Sequence, residues 1–209
     1  MRDAPPPRGT LGILISGRGS NMTAIADASA AGAIPARVGV VISNEPSASG
    51  LLAAASRGIE TLVIDHRSSR TREEHDLKVV AVLAERRVDL VCLAGYMRLL
   101  TGAFIREYAG RIMNIHPALL PAFPGLHAQR KAVDYGVRVS GVTVHFVDEG
   151  VDSGPIILQA AVPVEPEDTE ETLAARILAE EHRLYPEAIR LHFEDRLRIE
   201  GRKVRITGR

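Results

Sequence analysis

The sequence predicts an α/β protein: a mainly parallel twisted sheet with helices on both faces and a small C-terminal hairpin. Three observations carry that reading. Short apolar runs alternate with amphipathic segments as far as residue 115. The runs are nearly continuous in apolar character, which marks strands buried on both faces of a parallel sheet. At the far end, residues 196–206 read as two short strands around Glu200-Gly201.

The elements follow in order. Residues 11–15 form the first strand and 21–31 the first helix. Residues 36–42, 50–57 and 61–64 read as strand, helix and strand. Thr71 and Glu74 stand at the spacing of a capping box and open a helix that runs to about residue 86. Residues 90–93 are the fourth strand, 101–108 a short helix and 112–115 the fifth strand. The pattern then changes. Val142, Val144 and Phe146 alternate with Thr143 and His145, as in a half-buried strand. Residues 156–164 form another strand. Apolar residues at 173, 174, 177, 178, 184 and 185 predict a helix over 168–185, which Pro186 is expected to end or kink. The arginines of the final hairpin fit a solvated edge that resists aggregation. No internal repeat or linker divides the chain. One domain over 1–209 is expected, with residues 1–9 as a disordered tail.

Composition narrows the function. The chain has 209 residues, a formal net charge of +0 and 45% hydrophobic content, which suits one domain with a sizeable core. Balanced charge gives no electrostatic case for a nucleic-acid partner. A single cysteine, Cys92, excludes an internal disulfide and fits a reducing compartment. It lies in Leu90-Val91-Cys92-Leu93 and reads as a buried strand thiol. No Cys-x-x-Cys or His-Glu-x-x-His spacing occurs, so no metal site is expected. No apolar run is long enough to span a membrane. The segment Ala4-Pro5-Pro6-Pro7 lacks the apolar core of a signal peptide, so a cytoplasmic location is expected.

Four segments carry candidate chemistry. In the run 111–125, Asn114 and His116 are two residues apart, which places them on one face of a strand. Pro117 follows at once, so the pair is expected at the strand's open end. An amide beside an imidazole there suits stabilisation of an oxyanion. Taken alone, such a histidine is more often structural. Ser16-Gly17-Arg18-Gly19-Ser20-Asn21 lies between the first strand and first helix, where backbone N–H groups favour an anion. Met22 breaks the dinucleotide fingerprint and no Gly-Lys-Ser/Thr ending is present, which leaves a pocket for one phosphate. Helix capping by Ser20 or Asn21 is the competing reading. Residues 93–100 offer Gly95 for close approach, with Met97 and the leucines as an apolar wall; taken alone, such a segment is more often a loop packed on the core. The loop 147–155 is acidic, and Ser153-Gly154-Pro155 constrain the backbone beside Asp152.

Together these segments resemble the folate-dependent formyltransferase family. Residues 114–121 match its Asn-x-His-Pro-Ser-Leu-Leu-Pro signature, with Ala118 in place of Ser. The first turn is similar to that of the phosphoribosylglycinamide formyltransferases. The resemblance covers about residues 11–193 and implies a Rossmann-like formyltransferase fold. It implies a catalytic trio of Asn114, His116 and Asp152, with Thr143 and His145 supporting the Asp152 loop. It assigns the nucleotide phosphate to Gly19, Ser20 and Asn21 and the ribose hydroxyls to Glu181, although Leu178 stands where the family often has lysine. It places the folate against Met97, Arg98, Leu100 and Val147, with Arg72 at the glutamate tail. The implied reaction moves a formyl group from the co-substrate 10-formyltetrahydrofolate to the amine of 5'-phosphoribosylglycinamide, without metal or covalent intermediate, in purine biosynthesis. The expected partners are these small molecules, with no nucleic acid and no membrane, and the protein a monomer or homodimer. A formyltetrahydrofolate deformylase would share the trio but usually adds an N-terminal regulatory domain. A methionyl-tRNA formyltransferase would need a C-terminal RNA-binding domain for which the chain leaves no room. A non-catalytic binding module would not need the trio.

Overall fold

The computed structural model describes residues 7–208. Nine strands form one sheet in the order β3-β2-β1-β4-β5-β6-β7-β9-β8. The strands are β1 (Thr10–Ile15), β2 (Arg37–Ser43), β3 (Thr61–Val63), β4 (Leu90–Leu93), β5 (Ile112–His116), β6 (Val139–Phe146), β7 (Ile156–Pro163), β8 (Leu197–Glu200) and β9 (Lys203–Ile206). The first five are mutually parallel; β6 runs antiparallel beside β5, and β7 antiparallel beside β6. The hairpin β8–β9 extends the sheet through a parallel pairing of Lys203 with Ile156.

Six helices connect them: α1 (Ser20–Ala30), α2 (Ser49–Ala55), α3 (Arg72–Glu85), α4 (Gly102–Glu107), α5 (Ala128–Tyr135) and α6 (Glu170–Phe193). The alternation of side chains along β1 decides which helix meets which face. Leu11, Ile13 and Ile15 share a core with Met22 and Ile25 of α1 and Ile177 and Tyr185 of α6. Leu14 faces the other way, toward Val79 and Leu83 of α3 and Phe104 of α4. Gly12 lies on this second side because a Cβ there would meet Leu83 Cδ2 at 2.5 Å. No helix among the described residues is long and apolar enough to cross a membrane.

The expected elements are present, with five differences. β5 continues through His116, so Asn114 and His116 both belong to the strand itself. β6 is buried on both faces, because loops rather than solvent cover Thr143 and His145. Helix α5 was not expected. It is eight residues long, and its buried side chains are the alanines Ala128 and Ala132. Helix α6 runs through Pro186 to Phe193. Proline removes one backbone hydrogen bond, but Ala188, Ile189, Leu191 and Phe193 beyond it are all buried, and that burial outweighs the loss. Finally, residues 1–6 of the expected tail lie outside the described residues, but Arg8 and Gly9 are tied down. Arg8 N–H donates to Pro35 O at 2.7 Å, and Gly9 O accepts from Arg37 N at 3.0 Å.

Tyr185 links the helical layer to the strands. Its ring is fully buried, and its hydroxyl lies 2.8 Å from Met113 O and 3.1 Å from Leu93 O. One hydroxyl proton is shared between two strand carbonyls. Tyr185→Phe keeps the ring and strips this contact. It should lower the unfolding free energy by about 1–3 kcal/mol, read by urea denaturation, because a buried acceptor loses its donor.

Candidate active site

The site occupies the sheet face shared with α3 and α4, at the C-terminal half of β5. Across the antiparallel β5–β6 ladder, Asn114 stands opposite His145 and His116 opposite Thr143. These four polar side chains form two rungs on one face. Loops cover them.

The proline-rich loop after β5 folds back over His116. Thr143 Oγ1 donates to Ala118 O at 2.7 Å and accepts from Leu120 N at 3.0 Å. Gln159, next along the rung on β7, donates to Thr143 Oγ1 at 2.9 Å and to Leu120 O at 3.0 Å. So anchored, the loop presents two backbone groups. Phe123 O lies 2.8 Å from His116 Nε2, which therefore carries a proton. Gly125 N–H donates to Asp152 Oδ2 at 2.8 Å.

Asp152 arrives from the loop between β6 and β7. Its φ is 49°, in the left-handed region. Gly154 makes the turn sterically possible, since a Cβ there would fall on Phe146 O. Asp148 braces the loop by accepting from Ser153 Oγ at 2.6 Å and Gly150 N at 3.1 Å. The three expected catalytic residues thus meet. Asp152 Oδ2 lies 3.3 Å from His116 Nδ1, and Asn114 Nδ2 donates to Asp152 Oδ1 at 3.3 Å. His145 joins them. Its Nδ1 donates to Phe146 O at 2.8 Å, and its Nε2 lies 3.2 Å from Asn114 Nδ2 and 3.7 Å from Asp152 Oδ1.

Burial pushes the Asp152 carboxyl up. Hydrogen bonding with His145 and Gly125 N–H and the nearby His116 outweigh it and hold the group at about 2. Burial also lowers His116, against the pull of Asp152 and Phe123 O. At neutral pH the site therefore holds a carboxylate, with Nδ1 of His116 turned toward that charge.

The first turn lies at the C-terminal end of β1. Gly19 is the N-cap of α1 with φ 71° and makes no side-chain cap. Capping by Ser20 or Asn21 is therefore not what happens: Ser20 is already the first helical residue. A Cβ on Gly19 would meet Gly50 Cα at 2.9 Å, so glycine is needed for close approach as well as for φ. Asn21 Nδ2 donates to Glu181 Oε2 at 2.7 Å, and both residues are buried. Burial raises the Glu181 carboxyl, against that hydrogen bond. The Asn21 amide nitrogen thus bonds Glu181, and the helix N-terminus with Ser20 stands in the wall of a cleft.

The loop after β4 stands beside it. Met97 and Leu99 are exposed, while Leu100 and Val147 pack against the core on the α3 side. Arg98 is half-buried next to Tyr96. Asp76 on α3 accepts from Thr101 N at 2.7 Å and fixes the loop's exit. Arg72 opens α3, is exposed and has no polar partner among the described residues. A cleft of about 240 Å³ lies between residues 16–21 on one side and Ala94, Gly95 and Met97 on the other. Leu93, just before Ala94, is the register partner of Asn114, so cleft and trio adjoin.

A model of the formyl transferase family matches residues 11–189. The chain belongs to the formyl transferase family. It is 41% identical to the phosphoribosylglycinamide formyltransferase of Haemophilus influenzae over 199 residues, covering 95% of this chain and 94% of that one. A crystal structure of glycinamide ribonucleotide transformylase 1 from Symbiobacterium toebii superposes with a TM-score of 0.95 at 56% identity, covering 96% and 94% of the two chains. The trifunctional purine biosynthetic protein adenosine-3 of Drosophila melanogaster is 50% identical over 184 residues. That match covers 87% of this chain but 14% of the longer protein.

Sequence reasoning about this formyl transferase missed Phe123 O, Gly125 N–H and Asp76. The first two are backbone groups and leave no side-chain signature. Gln159 carried a signal, as a lone amide inside the apolar run Ile156-Ile157-Leu158-Gln159-Ala160.

The shifts at the trio set an acid sensitivity. The folded Asp152 lies below the ordinary aspartate value, so its stabilisation is present above about pH 4 and is lost as pH falls toward 2. His116 is also lowered, so the unfolded chain takes up its proton first, and stability begins to fall below about pH 6.5. Urea titrations at a series of pH values should show Asp152→Asn losing about 2 kcal/mol of the drop between pH 4 and 2, with the earlier decline retained.

Proposed function

We propose that this formyl transferase moves a formyl group from 10-formyltetrahydrofolate to the amine of 5'-phosphoribosylglycinamide, a step of de novo purine biosynthesis. The observation that carries the chemistry is the meeting of Asn114, His116 and the ionised Asp152 on one strand face. The nucleotide phosphate sits at the N-terminus of α1 with Gly19, Ser20 and Asn21, and Glu181, to which the Asn21 amide bonds, takes the ribose hydroxyls. The pterin lies against Met97, Arg98, Leu100 and Val147, and Arg72 meets the glutamate tail. The protein acts in the cytoplasm on these small molecules, apart from nucleic acid and membranes, as a monomer or homodimer.

Attack by the neutral amine forms a C–N bond and puts negative charge on the formyl oxygen. The Asn114 amide bonds are long, at 3.2 and 3.3 Å, and exchange readily for a stronger bond to that oxyanion. The amine nitrogen becomes positive and must lose a proton. Asp152 attracts it, and His116 Nδ1 at 3.3 Å shares it, becoming an imidazolium that also faces the oxyanion. The proton then reaches the folate nitrogen as its C–N bond breaks. Each bond made is matched by one broken, with no covalent enzyme intermediate and no resident metal.

A spectrophotometric assay of tetrahydrofolate release tests this. Release should be fast with 5'-phosphoribosylglycinamide and slow with water alone. Equal rates would replace the transferase reading with a deformylase. Asp152→Asn should keep the fold and both affinities while kcat falls about 10²–10⁴-fold, the usual worth of general acid–base catalysis. A loss below about threefold, set against that scale, would remove Asp152 from the chemistry.

A further inference from the structure

The two substrate loops are joined by one side chain that the proposed chemistry does not use. Ser16 follows β1 directly. Its Oγ donates to Asn44 Oδ1 at 2.6 Å and accepts from Met97 N–H at 2.8 Å. Its own N–H donates to Gly95 O at 3.1 Å. Asn44 is buried at the end of β2, and its side chain is steadied by His66 Nδ1 at 3.3 Å. The hydroxyl proton therefore points at Asn44, and a lone pair is left for Met97. Among the described residues, this is the one side-chain hydrogen bond between residues 16–21 and the loop after β4. Ser16 also stands in the wall of the cleft those loops enclose.

The consequence is geometric. The first loop would seat the nucleotide, and the second would seat the folate. Both are loops outside the strands and helices: Gly17, Arg18, Gly95 and Met97 are exposed, and Gly95 has φ 75°. The separation of the amine from the formyl carbon then depends on how the two loops are set against each other. A reacting pair misplaced by about 1 Å can lose about a hundredfold in rate without losing affinity.

We propose that Ser16 is a positioning residue, whose hydroxyl locks the acceptor loop to the formyl-donor loop and so sets the approach of the two substrates. This rests on the assignment of those loops under Proposed function. Ser16 itself takes no proton and touches no reacting atom.

The test compares Ser16→Ala, Ser16→Thr and Ser16→Cys with the wild-type protein. Ser16→Ala removes the link, Ser16→Thr keeps a hydroxyl, and Ser16→Cys keeps the shape with a weak hydrogen-bonding group. The expected result for Ser16→Ala is a fall in kcat of about 10- to 100-fold, with each KM and the calorimetric Kd for the nucleotide within about threefold of wild type. Ser16→Thr should recover most of that loss, and Ser16→Cys should resemble Ser16→Ala. If Ser16→Ala does not fold, Ser16→Cys against Ser16→Thr carries the comparison. The proposal is overturned if kcat holds within about threefold in both Ser16→Ala and Ser16→Cys, if either KM rises in step with the fall in kcat, or if Ser16→Thr is as slow as Ser16→Ala. A wild-type protein with no acceptor-dependent transfer overturns the loop assignment as well, so the two failures are told apart before any variant is made.

Discussion

The structure around the site is organised by one requirement: the Asp152 carboxylate must stay ionised while largely out of water. A buried carboxylate is stable only when its oxygens find donors or positive partners. Gly125 N–H and the Asn114 amide donate to this one, with His116 and His145 beside it, and the group is held at about 2. Each of those partners depends on something further away. Gly125 is in place because the proline-rich loop folds back, and that loop is tied down by Thr143 and Gln159. Asp152 reaches the rungs because its backbone takes a left-handed φ and Gly154 lets the chain pass close to Phe146 O.

The place of the site follows from the change of strand direction at β5. Up to β5 the connections are helical crossovers, and α3 and α4 cover the second face with apolar contacts. β6 then returns antiparallel, and on that face the two rungs meet loop backbone in place of helix side chains. Buried polar side chains need partners, and a loop offers free N–H and C=O groups where a helix offers none. Phe123 O, Ala118 O and Gly125 N–H all serve this way. A buried polar cluster and a loop cover therefore belong together on this face.

Much of this was legible in the sequence. The parallel strands announced themselves as apolar runs, and the hairpin around Gly201 by its turn. The meeting of Asn114, His116 and Asp152 was legible through the resemblance, since residues 38 apart in the chain carry no local signal of contact. What was hidden had physical reasons. Helix α5 is eight residues long, and its buried side chains are two alanines. His145 and Thr143 looked solvent-facing, because alternation cannot show that a loop will cover a strand's second face. Pro186 looked like a terminus, because the helix's true end is set by tertiary burial beyond it. The bond between Asn21 and Glu181 was hidden too, because residues 160 apart carry no local signal of contact.

That last contact explains why α6 runs as long as it does. Ile177, Glu181, Tyr185 and Ile189 recur every four residues, so they form one stripe down the helix, and all are buried. Glu181 reaches Asn21 on α1 at the edge of the cleft. One turn on, the Tyr185 hydroxyl reaches carbonyls of β4 and β5, directly beneath the strands that carry the trio. Ile177 and Ile189 fasten the stripe to the core on either side. The helix thus fixes the first turn relative to β5 from below, as Ser16 fixes it relative to the loop after β4 from above. A break at Pro186 would free Ala188 and Ile189 from the sheet and loosen the turn that carries Tyr185. Continuity through a residue that disfavours helix is the price of holding both ends of one cleft on a single rigid element.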